Sequence, residues 1–281
     1  MPGTLFVVST PIGNLEDITL RALRTLREVA VIAAEDTRRT AILLRRYEIG
    51  TPTISFHDHN ERTRTAELVR RLIDGESVAL VSDAGTPLVS DPGVRLVRAA
   101  IEHGVPVEAI PGPSAVMTAL TVSGMATDRF TFLGFAPARQ GERARWLESM
   151  KNLPGTLVFF EAPHRIRASL EALRDVLGDR HIVLARELTK AHETVTRGNV
   201  SEILAGEVDA RGEYTILVSA QLERCAAPVG TDPSYDVVHE FGLLTADAEM
   251  SPRDAVSAIA ERGALSKQDV YAALRRAGKL G

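Results

Sequence analysis

Along the first 124 residues, short apolar runs alternate with amphipathic stretches. TLFVVS (4–9), VIAA (31–34), PTISF (52–56), SVALVS (77–82) and PVEAI (106–110) predict strands, with VALV (78–81) a buried one. The intervening stretches 18–29, 36–47, 60–75, 91–104 and 111–124 predict helices. In the first of these, Leu20, Leu23 and Leu26 fall on one side. The second opens on an Asp36–Thr37 cap, and the fourth has Pro92 near its first turn and Gly104 just past its end. Strands alternating with helices predict a largely parallel α/β sheet.

After residue 124 the pattern changes. TLVFFEA (156–162), HIVLARE (181–187), ETVTRG (193–198) and YTILVSA (214–220) predict strands with fewer helices between them, and ETVTRG has antiparallel character. A second, mixed α/β domain is therefore expected over 125–222, after an N-terminal α/β domain over 1–124. Irregular composition from Gln221 to Ser234 marks a linker, taken as 223–250. Two short helices close the chain over 251–281 in a helix-turn-helix outline. Their capping patterns are Ser251 with Asp254 and Ser266 with Asp269, and Gly263 lies in the turn.

Composition narrows the class. The 281 residues are 44% hydrophobic and 25% charged. The apolar runs fall far short of the roughly 20 residues a membrane span needs. Residues 1–14 lack the basic and apolar regions of a signal peptide. The single cysteine, Cys225, rules out an internal disulfide and a cysteine metal cluster. A cytoplasmic protein is expected. With a net charge of −4, bulk attraction to nucleic acid is missing, so any such contact needs a local patch or a groove.

Three predicted strands empty into loops rich in Gly, Pro and Ser: STPIGN (9–14), SDAGTPLVSDPG (82–93) and IPGPSA (110–115). In an open parallel sheet such loops gather at the carboxyl edge, where ligands bind. Neither G-x-G-x-x-G nor a Walker loop follows the first strand, so the usual phosphate cradles are missing. Glycines here let backbone approach a ligand such as an adenine or an amino-acid moiety. The alternative is a set of ordinary turns.

AEDTRRT (34–40), VALVSDAGTPLVSDPG (78–93), IPGPSA (110–115), FFEAPHRI (159–166) and ARELTKAHE (185–193) occur in that order. Together they resemble the small-subunit ribosomal RNA methyltransferase I type of the tetrapyrrole-methylase superfamily, over about residues 4–220. The helical tail resembles the C-terminal domain many members carry. The resemblance implies a two-domain tetrapyrrole-methylase fold with S-adenosylmethionine held between the domains. It also implies transfer of a methyl group to the ribose 2′-hydroxyl of a decoding-region cytidine in 16S RNA, by a homodimer. Carried over by motif, the cofactor contacts are Pro11, Gly13, Asp83, Gly85, Thr86, Ser114, Ala115, Phe160 and Thr215.

A ribose hydroxyl is a weak nucleophile and needs a base or a polarising cation nearby. The candidates are Asp36, Glu161, Arg186 and Lys190, beside Glu35, His164 and Glu187. Structural alternatives stand next to them: Asp36 as a helix cap, Glu161 and Arg186 as an ion pair between adjacent strands, and His164 as a packing or capping residue. Arg38, Arg39, Arg139, Arg143 and Arg145 are the RNA-contact candidates, with 139–145 expected to be loop-like. Arg45 and Arg46 fall on a predicted helix, where charge is common. His57 and His59 read as polar surface, and no metal is expected. Two other function classes remain: a methylase of a corrin-like small molecule, and a non-enzymatic nucleic-acid binder. The motifs argue against the first, and the scarcity of base-reading side chains in the tail argues against the second. The tail reads as an RNA-docking or packing accessory.

Overall fold

The computed structural model describes residues 1–219 and, beyond them, 237–238, 241–242, 244–245, 250–262 and 267–279. Residues 1–222 form one compact unit and 223–281 a second.

The first sheet contains β1 (Leu5–Val8), β2 (Val31–Ala34), β3 (Thr53–Ser55), β4 (Val78–Val81) and β5 (Val107–Ile110). Its order is β3-β2-β4-β1-β5, and all four pairings are parallel. Helices cover both faces, which explains why every residue of β2 and β4 is buried. Ile32, Ala34, Ala79 and Val81 pack with Leu23 and Leu26 of α1 (Leu20–Glu28) and Leu43 and Leu44 of α2 (Thr37–Arg46). The alternate residues Val31, Ala33, Val78 and Leu80 pack with Leu68 and Leu72 of α3 (Glu61–Ile73) and Leu96 and Ala100 of α4 (Val94–Glu102).

Two local expectations change. Leu20 opens α1 and is 86% exposed, so only Leu23 and Leu26 of the three leucines face inward. Helix α4 begins at Val94, after Gly93 at φ +132°, so Asp91 and Pro92 belong to the preceding loop. A Cβ on Gly93 would sit 2.6 Å from Leu80 Cδ2, which leaves glycine as the residue that fits that turn.

The second sheet holds β6 (Phe130–Phe135), β7 (Thr156–Glu161), β8 (His181–Arg186), β9 (Thr194–Asn199) and β10 (Tyr214–Val218), in the order β6-β7-β10-β8-β9. β6 and β7 are parallel and the other pairings antiparallel, including β8 with β9, the ETVTRG strand. One face packs against α6 (Gln140–Ser149), α7 (Ile166–Leu177) and α8 (Val200–Ala205). The other receives Val116, Ala119 and Leu120 of α5 (Ala115–Ser123) on Val158, Val183, Ala185 and Leu217. Helix α5 thus starts at the carboxyl edge of the first sheet and lies along the second.

The RQGERAR stretch, expected as a loop, supplies the first turns of α6. Arg143 faces inward there, 5% exposed, and donates to the carbonyls of Pro137 and Ala138 at 3.3 Å. A buried arginine cannot grip a phosphate, so Arg143 is withdrawn from the RNA candidates.

In the second unit, α9 (Pro252–Arg262) and α10 (Lys267–Arg276) share a small core of Val256, Ile259, Val270 and Leu274 with Val237 and Phe241. Residues 237–238, 241–242 and 244–245, inside the stretch read as linker, are helical. Ser251 accepts from the Asp254 amide at 3.3 Å and donates to its carboxylate at 2.6 Å, the first of the two expected caps. Residues 221–234, Gly263 and Ser266 lie outside the described residues. Among the described residues no helix is long and apolar enough to cross a membrane.

Candidate active site

The three loops do meet at one end of the first sheet, because β4, β1 and β5 are neighbours there. Thr10 and Gly85 exchange backbone hydrogen bonds at 2.8 and 3.0 Å, and Thr10 Oγ1 donates to the Ser82 carbonyl at 3.1 Å. The Ser9 hydroxyl donates to Thr86 Oγ1 at 3.2 Å, which in turn donates to the Pro113 carbonyl at 3.4 Å. These bonds join all three loops into one rim.

Between this rim and the second sheet lies a cleft of about 490 Å³. Asp83, Gly85, Thr86, Ser114, Ala115, Phe160 and Thr215 line it, seven of the nine positions expected to contact a cofactor. Phe160, Thr215 and Ala185 occupy one row across β7, β10 and β8 and form its floor. Gly85, at φ +79°, has both backbone groups engaged by Thr10, so it shapes the wall and its N–H is not free for a ligand. The N–H groups of Ala115 and Val116, in the first turn of α5, point from a helix start with no intrahelical acceptor in reach.

Pro11 and Gly13 do not line the cleft. Pro11 is buried in the loop, and Gly13 abuts the ARELTK loop. A Cβ on Gly13 would lie 2.5 Å from Lys190 Cγ, 2.7 Å from Thr189 Oγ1 and 2.8 Å from the Leu188 carbonyl. The Asn14 amide donates to Thr189 Oγ1 at 3.0 Å, while Glu187 and Thr189 hold positive φ. Gly13→Ala is therefore expected to force the two loops apart and cost about 1–3 kcal/mol, read as a lower urea midpoint. An unchanged midpoint would show that the loops yield freely.

The catalytic candidates separate. Asp36 caps α2, accepting from the Arg38 amide at 2.9 Å and pairing with the Arg38 guanidinium at 2.7 Å. The Arg38 side chain, and then its amide, hold the Asp36 carboxyl well below the usual range. Glu161 lines the cleft but is 2% exposed, and its carboxylate is spent on Arg165 at 2.7 Å, the Ala162 amide at 2.7 Å and the Ser169 hydroxyl. The alternative pair with Arg186 does not form, because β10 runs between β7 and β8. Arg186 pairs with Asp209 at 2.7 Å instead. Lys190 sits between Glu187 at 2.9 Å and Glu213 at 3.0 Å; burial alone would lower its pKa, but the two carboxylates raise it above the ordinary lysine value. None of Asp36, Arg186 and Lys190 lines the cleft.

Two carboxyls that do line it are perturbed. Burial, reinforced by the charges of Glu35, Asp83 and Asp58, pushes Asp91 up to about 6 against an opposing bond from Ser82. Glu35 is raised by burial and by Asp83 and Asp58, with the Asp83 amide and Arg39 acting the other way. Asp83 accepts from the Asp36 amide at 2.9 Å and meets Arg39 at 3.5 Å. The carboxyls come from the loops after β2, β3 and β4, which the parallel order brings side by side. Asp91 stands inside a quoted motif, but directly before Pro92-Gly93 it looks like an ordinary turn residue, and its sequence neighbours hold no hint of its environment.

Of the arginines, Arg39 lines the cleft, and Arg38, Arg139 and Arg145 are exposed. Residues 4–204 match the family model described as Tetrapyrrole (Corrin/Porphyrin) Methylases. The chain belongs to that family. It is 44% identical to the Ribosomal RNA small subunit methyltransferase I of Pseudomonas aeruginosa, over 99% of each chain. With the protein of that name from Micromonospora olivasterospora it shares 50% identity over 79% of this chain and 72% of the other. These relatives bear out the resemblance that the five motifs suggested. The fold recurs in the uroporphyrin-III-C-methyltransferase of Thermus thermophilus, with a TM-score of 0.54 at 20% identity over 77% of this chain and 94% of that one.

Proposed function

We propose that the protein is an S-adenosylmethionine-dependent methyltransferase that modifies the ribose 2′-hydroxyl of a decoding-region cytidine in 16S ribosomal RNA. The observation that carries this reading is the acidic cleft at the meeting of three family motifs, in a chain similar over its whole length to small-subunit rRNA methyltransferases.

The residues present fit that cofactor. The cleft has the volume of an ordinary small-molecule site. With Glu161 paired to Arg165 and Glu213 to Lys190, the other carboxylates that line it, Glu35, Asp83 and Asp91, outnumber Arg39, which favours a ligand with a positive centre and hydroxyls over a phosphate-bearing one. Asp83, Thr86, Ser114 and the first N–H groups of α5 would hold it, against Ile12, Phe160 and Thr215. When bound, the cofactor supplies a methyl group already activated by its sulfonium charge. The protein must then align the hydroxyl and accept its proton.

The base we assign is Asp91. It lines the cleft, and with a pKa of about 6 it is ionised at neutral pH while still basic enough to take a proton. Glu161, with Arg165 and Ser169, holds the end of β7 in place. Lys190 is kept as a cation by Glu187 and Glu213, and Arg186 is positioned by its ion pair with Asp209. Arg38, Arg39, Arg139 and Arg145 are the proposed phosphate contacts. The parts are an N-terminal α/β domain over 1–124, a second over 125–222 and a helical tail, in a cytoplasmic homodimer that acts on the small ribosomal subunit.

The test is transfer of labelled methyl from the cofactor to small subunits lacking the modification, followed by alkaline hydrolysis. A 2′-O-methyl group blocks cleavage at its own linkage, so label is expected in one surviving dinucleotide that contains cytidine. Label on a base would overturn the ribose chemistry. No label, with cofactor still bound, would favour a small-molecule substrate.

A further inference from the structure

Strand β6 carries an irregularity at the mouth of the cleft. Phe130, Thr131 and Phe132 pair in step with Thr156, Leu157 and Val158 of β7, but the next partner of Phe160 is Phe135. Three steps on β6 thus match two on β7, a bulge of one extra residue, with Gly134 at φ +70°. Strict alternation would place Phe135 on the same face as Leu133, which packs into the core against α6 and α7. The bulge moves it to the opposite face, where Phe132 and Phe160 lie.

On that face Phe135 is not buried. Its ring lies 5.2 Å from that of Phe160, tilted by 57°, and lines the cleft, yet the residue stays 58% exposed. Val89, also exposed, lines the same mouth. A Cβ on Gly134 would come within 3.6 Å of Ser90 Oγ, so the bulge abuts the loop that carries Asp91. Aromatic residues make up only 5% of the chain, and Phe56 and Phe159 are almost fully buried. A bulge is a built feature, and this one turns an aromatic ring out of the core to the cleft entrance.

We propose that Phe135 is a stacking platform for an unpaired nucleobase, holding the target nucleotide so that its ribose enters the cleft. The inference rests on the ribosomal RNA reading above. A flat apolar ring at the rim suits a base out of its stack, since proteins that read single-stranded RNA lay such bases on aromatic side chains. The base stays outside on Phe135 while Asp91, on the adjoining loop, meets the hydroxyl of the same nucleotide. Phe135 touches no reacting atom; it is a positioning residue that sets affinity for the substrate.

The experiment compares wild type with Phe135→Ala, Phe135→Leu and Phe135→Tyr, using small subunits lacking the modification and, separately, equilibrium binding of the cofactor. Because Phe135 is exposed, all four proteins are expected to fold alike. Phe135→Ala is expected to raise KM for the subunit by about 5- to 150-fold, the range for losing one base–aromatic stack, with cofactor affinity unchanged. Phe135→Tyr should restore KM and Phe135→Leu, bulky but without a π face, should not. An unchanged KM in Phe135→Ala overturns the inference, as does full rescue by leucine. A matching fall in cofactor affinity overturns it too, by assigning the ring to the cofactor. Wild-type protein that transfers no methyl to the subunit overturns the functional reading and this inference with it; wild-type transfer that Phe135→Ala leaves unchanged overturns this inference alone.

Discussion

Asp91→Asn is expected to lower the rate constant for methyl transfer by about 10²–10⁴-fold, the contribution of a positioned general base. The amide keeps the size of the side chain and loses the ability to take a proton. In the wild type, kcat/KM should climb with pH to a plateau above the Asp91 pKa of about 6, and the variant should lack that limb. Retention of wild-type rate, or an identical pH profile, would remove Asp91 from the mechanism.

The same substitution should move stability the other way. Asp91 has a folded-state pKa raised from an ordinary 3.8 to about 6, so between those values the folded chain holds a proton that the unfolded chain has lost. Its contribution to stability therefore falls as pH rises through that window and stays low above it. At pH 7 the ionised group, facing Glu35, Asp83 and Asp58, opposes folding. Asp91→Asn should raise the unfolding midpoint at pH 7, with the difference shrinking toward pH 4. A gain in stability paired with a loss of rate is the signature of a functional carboxyl; loss of both would mark a structural one.

Glu161→Ala is expected to destabilise the fold by about 3–5 kcal/mol, the usual cost of removing one partner from a buried ion pair. The truncation leaves the Arg165 guanidinium, the Ser169 hydroxyl and the Ala162 amide without their shared acceptor, at a position 2% exposed. Glu161→Gln keeps an acceptor for the amide and the hydroxyl and should cost less, measured as free energies from urea unfolding. The glutamine variant also separates structure from chemistry. If Glu161 only holds the end of β7, activity per folded molecule survives; a catalytic Glu161 would lose turnover with little change in stability.

Much of this architecture was legible because burial on two faces imposes a pattern that one chain can carry alone. VIAA and VALV read as strands since helices cover both of their sides, and the helices between them repeat apolar residues at their own period. Where the pattern is faint the reading failed. Helix α6 offers little apolar periodicity, because one of its inward positions is Arg143, which turns back to donate to the carbonyls of Pro137 and Ala138 just before the helix. Leu20 read by spacing as sharing a side with Leu23 and Leu26, yet the first turn of α1 leaves it in solvent.

The sequence by itself determined the alternation of strands and helices, the three loops at one sheet edge and, through five motifs in order, the family. Each of these depends on residues close together along the chain, where local conformation and periodic burial act. Tertiary structure decided who meets whom. Strand order put β10 between Glu161 and Arg186, so that the alternative of one pair between them gave way to two separate ones. The same order gathered carboxyls from three loops around Asp91, and a one-residue bulge set Phe135 at the mouth of the cleft. A charge takes its pKa, and a ring its exposure, from neighbours distant in sequence, and those neighbours exist only once the sheets have formed.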